Sequence, residues 1–300
     1  MGPLLCLLSA AAFGTMAIFG KLAYDAGVGV GDLLLVRFTL AAGVLLAIAA
    51  ASGALRGLPR RAVVFGLGLG AVGYAAQAGL FFLALERMDA SILSLLLYTY
   101  PAMVTVAAIL IGRERGTRRR GVALVIAGAG TALVLLGAGA GALDPLATAM
   151  GLGAALTYTV YILVGDRAVA GVPPLALAAL VTTGATATFA LVAVATGGPD
   201  LAFAASGWAA LVAIALVSTV VAILAFFAGL ARVGPSAAAI LSTVEPPVTV
   251  TLAALAFGES LAAIQLTGGA LVLLAVALLQ LPQGRLVLLG GRPAREVEPA

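Results

Sequence analysis

Ten apolar runs of about twenty residues follow one another along this chain, separated by short clusters of glycine, proline and arginine. They lie near residues 3–24, 32–53, 61–86, 89–111, 120–138, 145–164, 174–197, 207–231, 235–257 and 260–281. A helix needs roughly 20 predominantly apolar residues to cross about 30 Å of hydrocarbon, so each run predicts one spanning helix. The intervals carry turn chemistry and charge: "YDAGVGVGD" after the first run, "ALRGLPRR" after the second, "GRERGTRRR" after the fourth and "GDRAVAGVPP" after the sixth. None is long enough to hold a soluble domain. The pattern predicts an all-α polytopic membrane protein with ten transmembrane helices.

Composition points the same way, because residues of the AVILMFWYC set make up 63% of the chain and charged residues only 9%, too few to cover a soluble surface. The net charge of +4 is explained by topology. With a cytoplasmic amino terminus, thirteen of the sixteen cations fall on inside loops and the tail, Lys21 and Arg87 lie outside, and Arg37 sits within a span. That bias predicts both termini in the cytoplasm. The run "RERGTRRR" then reads as an inside loop and not as a polyanion site, so no nucleic-acid partner is expected. The first run lacks a basic leader and a clear cleavage site and is expected to remain as a helix. With one cysteine, Cys6, and no histidine, the chain offers no intramolecular disulfide, no thiolate cage and none of the commonest general bases. No metal, no cofactor and no catalytic residue are expected.

Residues 81–114 realign without a gap on residues 226–259. A shift of 145 lays Phe81 on Phe226, Phe82 on Phe227, Ser91 on Ser236, Pro101 on Pro246 and Glu114 on Glu259. The chain therefore divides into two five-helix halves, 1–138 and 139–281, followed by a cytoplasmic tail over 282–300. Five is odd, so the second half enters the membrane from the opposite side. Inverted repeats of this kind place a binding site between the halves near the midplane and suit alternating access. Pro101 and Pro246, with Pro247 beside the latter, put helix breaks at matching places in the fourth helix of each half. Backbone freed at that depth survives only against protein or a wet cavity.

Glu245 is the one carboxylate deep within a run. A charge there costs about 2.5–3.5 kcal/mol on insertion scales unless paired, neutralised or facing water. It reads either as a cavity acid that binds an ammonium group or exchanges a proton, or as a structural acid serving backbone freed by the prolines. Ser91, Ser94, Tyr98, Pro101 and Thr105 form a polar stripe on the fourth helix; Tyr74, Gln77 and Phe81 share a face of the third, and Tyr158 and Tyr161 a face of the sixth. Such side chains suit a cavity for an amphipathic solute, or else interhelical hydrogen bonds. Tyr100 aligns with Glu245 across the repeat but lies off the Tyr98 face, so one of the two tyrosines is expected in the cavity and the other in packing. Arg37 reads as a snorkelling cation or as a carboxylate-binding or gating residue. Lys21, Arg87 and Trp208 read as interfacial anchors. The glycines of "GLGLGAVG", residues 66–73, read as close helix packing.

Together, "AAAFGTMAIFGKLA", "DLLLVRF", "FFLALERMDASILSLLLYTYP" with "GRE", and the echo "FFAGLARVGPSAAAILSTVEPP" through "FGES" and "GGALVLL" resemble the drug/metabolite transporter superfamily in its ten-helix form with two EamA-type repeats. The likeness runs to about Leu281 and is nearest to YddG-type amino-acid exporters. It implies a secondary transporter in the bacterial inner membrane that exports small metabolites, amino acids including aromatic ones, with drugs or other metabolites as the alternative cargo. The partners implied are a small-molecule substrate and the lipid bilayer, and a monomer is compatible with them. An intramembrane enzyme using Glu245 would need a nucleophile, base or metal that this composition does not supply, and a channel would need a filter or charge ring that it lacks.

Overall fold

The computed structural model describes residues 1–113, 115–137, 144–168 and 171–280; the expected tail over 282–300 lies outside them. Among the described residues no strand forms, and ten helices are long and apolar enough to cross a membrane. These spans are numbered 1 to 10: Gly2–Asp25, Val30–Ala51, Arg60–Leu85, Ala90–Leu110, Arg118–Gly137, Pro145–Gly165, Pro174–Ala195, Ala205–Val233, Ala237–Phe257 and Ala263–Gln280. The exposed surface is greasy, with Leu110, Val125, Val194 and Leu255 each more than 70% accessible. On a soluble protein such a surface would drive aggregation, whereas here it meets lipid. One end of the bundle carries the start of span 1 and the end of span 10 and is called the terminal end; the other is the far end.

The helices pack as a two-fold pseudosymmetric pair. Span 2 lies on span 7, span 5 on span 10, span 1 on span 8 and span 3 on span 6. Exchanging the halves maps the first two pairings onto themselves and swaps the other two. Backbones approach closely where small residues face each other. A Cβ on Gly130 would lie 2.6 Å from the Gly268 carbonyl, and one on Gly268 would lie 2.5 Å from the Gly130 carbonyl, which seams span 5 to span 10. Within "GLGLGAVG", a Cβ on Gly70 would stand 2.0 Å from the Val181 carbonyl of span 7. That glycine allows contact between helix backbones.

Three spans are interrupted. Span 4 breaks at Tyr98–Thr99, between helices Ala90–Leu97 and Tyr100–Leu110, and span 9 at Thr243–Val244, between Pro235–Ser242 and Glu245–Phe257. The prolines sit just past each break: Pro101 second in its half-helix, Pro246 and Pro247 second and third, where an amide N–H has no intrahelical partner in any case. Span 1 breaks at Thr15 with no proline. There the backbone is tied sideways: the Thr249 hydroxyl donates to the Gly14 carbonyl (3.0 Å), and Thr15 Oγ1 lies 2.7 Å from Ser218 Oγ. At each break a threonine hydroxyl donates to the carbonyl three residues back, Thr15 to Ala12, Thr99 to Leu96 and Thr243 to Ile240. Spans 3 and 8 each contain a π-helical turn, Leu69–Tyr74 and Leu216–Val221. Single π turns inside α-helices gather at functional sites.

The largest buried cluster, with Leu33, Phe38, Phe82, Leu85, Leu93, Leu96, Leu211 and Ile214, fills the far half between spans 2, 3, 4 and 8. Arg87 is not a free interfacial anchor: it pairs with Asp144 at 3.3 Å, and Asp144 in turn accepts the Leu146 N–H at the start of span 6. That amide bond, more than Arg87, holds the Asp144 carboxyl below the usual carboxylate range. At the terminal end Arg113 donates to the Leu163 carbonyl near the end of span 6, and Arg119 to the Leu278 carbonyl near the end of span 10. Cations of the span 4–5 loop and of the start of span 5 thus meet the negative ends of helices.

Candidate functional site

The three breaks and the π turn of span 3 border one hollow. Its deeper part, about 120 Å³, is walled by side chains that include Phe13, Met16, Arg37, Tyr74, Gln77, Phe81, Ser94, Tyr98, Glu245 and Thr249. A vestibule of about 300 Å³ shares Tyr74, Tyr98, Tyr100, Tyr158 and Glu245 with it and extends past Tyr161, Leu177, Phe227 and Ser242 to Gln280 at the terminal end. The vestibule alone reaches the lower bound of roughly 300–1,000 Å³ usual for small-molecule sites. All nine residues singled out in the sequence, Tyr74, Gln77, Phe81, Ser94, Tyr98, Tyr100, Tyr158, Tyr161 and Glu245, border this hollow. A second crevice of about 470 Å³ between spans 3 and 6 shares Tyr161 with the vestibule and is mostly apolar, with Val64, Val72 and Val160 exposed to lipid.

Five of the six tyrosines in the chain form a continuous aromatic wall. Tyr74 meets Tyr161 at 5.8 Å between ring centres, Tyr161 meets Tyr158 at 5.8 Å, Tyr158 meets Tyr100 at 4.6 Å and Tyr100 meets Tyr98 at 6.0 Å. The last two pairs are edge-to-face, a favourable arrangement at such spacings. The expectation that only one of Tyr98 and Tyr100 faces the cavity is not met. The break between them resets the helical phase, so both rings border the hollow.

Glu245 opens the second half of span 9, where the positive end of a helix dipole favours a carboxylate. The Tyr98 hydroxyl lies 2.9 Å from Glu245 Oε2 and 2.7 Å from the Ser242 carbonyl oxygen. In an unbroken helix that carbonyl would accept from residue 246, a proline here. A hydroxyl has one proton, and a carbonyl can only accept. The Tyr98 proton is therefore shared between the two acceptors, or serves Ser242 while a protonated Glu245 donates to Tyr98.

Arg37 does not snorkel. It is buried, 1% exposed, and its guanidinium borders the deep part of the hollow, with Nε donating to Thr219 Oγ1 at 3.0 Å and Nη2 to the Tyr74 hydroxyl at 3.4 Å. It lies 5.4 Å from the Phe82 ring centre, within cation–π range. Lys21 is likewise no simple anchor. Its Nζ is 2.8 Å from Glu259 Oε1, and the Glu259 carboxylate also accepts the Ala90 and Ser91 N–H groups (3.0 Å each) and the Ser91 hydroxyl (2.7 Å). Ser91, read as part of the cavity stripe, therefore belongs to this far-end latch. Gly258, in the left-handed conformation with φ 68°, ends span 9 and turns the chain so that Glu259 reaches the start of span 4. Burial pushes the Glu259 carboxyl upward, but its bonds from Lys21, Ser91 and Ala90 outweigh this and hold it below the ordinary glutamate range. The hollow is thus closed at the far end by the latch and the apolar cluster, and extends to the terminal end.

Sequence reading missed the Arg37–Tyr74–Thr219 contact, although the same shift of 145 pairs Tyr74 with Thr219. It missed Thr249 and the latch as well, since no local pattern joins Lys21 to Glu259.

Residues 1–136 and 146–281 match the family model described as "EamA-like transporter family". No curated protein matches in sequence. A solved structure described only as "Crystal structure of protein" superposes with a TM-score of 0.66 at 22% identity, over 92% of this chain and 95% of its own, a likeness in fold.

Proposed function

We propose, from the premise that this chain belongs to the EamA-like transporter family and is a multi-pass membrane transporter of small molecules, that its cargo is amino acids, including aromatic ones, and that it exports them. The observation that carries this reading is a hollow with a carboxylate, Glu245, set in a wall of five tyrosines, extending to one end of the bundle and latched at the other. Ring faces and hydroxyls suit an amphipathic solute, and an acid in a low-dielectric site suits an ammonium group. Export rests on the resemblance to amino-acid exporters. The bias of cations supports a cytoplasmic position for both termini, and hence for the vestibule, and the resemblance implies a bacterial inner membrane. The halves 1–138 and 139–281 then move against each other as inverted repeats, with 282–300 as a cytoplasmic tail.

The same geometry suggests the coupling. With the hollow empty, Glu245 is protonated and Tyr98 serves the Ser242 carbonyl. An arriving ammonium group takes the place of that proton, which leaves to the terminal side. After release of the solute at the far side, Glu245 is reprotonated from there, so one proton enters for each amino acid exported.

Purified protein in vesicles tests both parts. Counterflow of labelled tryptophan, threonine or methionine should be saturable and competed by a subset of the twenty amino acids. Glu245→Gln should retain counterflow yet lose the pH dependence of net transport. Absence of competition by every amino acid would move the cargo to drugs or other metabolites. Retained pH dependence in the variant would remove Glu245 as the coupling acid.

A further inference from the structure

Arg37 is the second charge on the hollow, and its surroundings are unusual. It is fully enclosed, and among the described residues no carboxylate pairs with it. A buried guanidinium without a countercharge is costly, and such groups within a membrane face a functional pathway by default. Its two hydroxyl partners come one from each half: Tyr74 ends the π turn of span 3, Thr219 lies within the π turn of span 8, and the two are 145 residues apart. Arg37 therefore sits where the halves meet. The hydrogen-bond accounting leaves it available. Thr219 gives its own proton to the Ile214 carbonyl five residues back (2.9 Å), so it can only accept from Arg37. A guanidinium has five N–H donors in a planar fork that matches a carboxylate. The guanidinium borders the same deep chamber as Glu245, and the tyrosine wall runs from Tyr74 beside Arg37 to Tyr98 beside Glu245.

We propose that Arg37 binds the α-carboxylate of the transported solute, with the rest of the solute lying along the tyrosines. This rests on the amino-acid reading of the site and deepens it to a requirement for a free carboxylate. Because its supports are repeat mates, the anchor lies at the interface of the halves whichever end is open, and a solute need not let go of it while the halves exchange positions.

The test is ligand-induced thermal stabilisation of the full-length protein in lipid nanodiscs, titrated with L-tryptophan, L-tryptophanamide, tryptamine and indole-3-propionate. In the native chain, tryptophan should bind about 10- to 100-fold more tightly than its amide, the range expected for losing charge-assisted hydrogen bonds. Arg37→Gln should bring the two within about threefold of each other on the same scale, mainly by weakening tryptophan. If that variant does not fold, Thr219→Val and Tyr74→Phe, which each remove one support of the guanidinium and keep side-chain bulk, should narrow the same ratio. Equal affinity for tryptophan and tryptophanamide in the native chain would overturn the anchor and leave the amino-acid reading intact. Binding of indole-3-propionate that depends on Arg37, with no response to any amino acid, would keep the carboxylate site and remove the amino-acid reading. Stabilisation by chloride alone that tryptophan does not compete away would assign Arg37 an inorganic ion and overturn the proposal.

Discussion

Tyr98 shows how much one hydroxyl can hold together. It answers the Ser242 carbonyl that Pro246 leaves without its helical partner, and it touches the carboxyl of Glu245. Tyr98→Phe leaves a buried acceptor unserved, which should cost about 1–3 kcal/mol and lower the unfolding temperature measured by intrinsic fluorescence in detergent. Glu245→Gln leaves the Tyr98 bond to Ser242 in place and keeps a hydrogen-bonding group beside it, so it should fall well short of that loss. The acid and the prolines could be found from sequence because each violates the rule for a lipid-facing helix. Arg37 stood out for the same reason, but its direction did not, because whether a long side chain reaches headgroups or turns inward depends on the Tyr74 and Thr219 hydroxyls of two other spans. Lys21 reads as an anchor in the sequence because its partner, Glu259, is 238 residues away.

At the scale of helices, the ten spans follow from length and hydropathy, which are local properties, and so do two of the three breaks, which prolines mark. The break in span 1 has no such mark. It depends on Thr249 and Ser218 bonding across from spans 9 and 8. Glycine patterns announce packing without naming the partner. Gly70 and Gly79 both lie in span 3, yet a Cβ on Gly70 would meet the Val181 carbonyl at 2.0 Å while one on Gly79 would meet nothing within 4 Å. Gly70→Ala should therefore force spans 3 and 7 apart and destabilise the fold by about 1–3 kcal/mol or more. Gly79→Ala should be neutral or stabilising by a few tenths up to about 1 kcal/mol. Paired melting curves by size-exclusion fluorescence separate the two.

Across the whole molecule, the far-end latch and the apolar cluster beside it keep one side shut. Glu259 carries more hydrogen bonds there than any other carboxylate among the described residues, and they join the ends of spans 1, 4 and 9. Glu259→Gln removes the charge that Lys21 meets and should shift the population toward far-end opening. In a Cys6→Ala background, a cysteine introduced at Ser94 should react with a membrane-impermeant maleimide only from the terminal side, and in Glu259→Gln from both. Because the Glu259 carboxyl is held below its usual range while the latch is closed, its contribution to closure is fully present above the ordinary glutamate range. That contribution is lost as the pH falls through the depressed value, so acid at the far end should raise labelling from that side. Lack of any pH effect on labelling would mean that the apolar cluster alone keeps the far end shut.

The place of Arg37 between Tyr74 and Thr219 has an electrical corollary. A rocking body moves least near its pivot, and a fixed charge displaced only slightly gives the transmembrane voltage little to act on; a full elementary charge carried across is worth about 2.3 kcal/mol per 100 mV. Any current measured during turnover would then be that of the passengers alone, so a zwitterion exchanged for one proton should register as a single elementary charge per cycle, with the guanidinium itself silent.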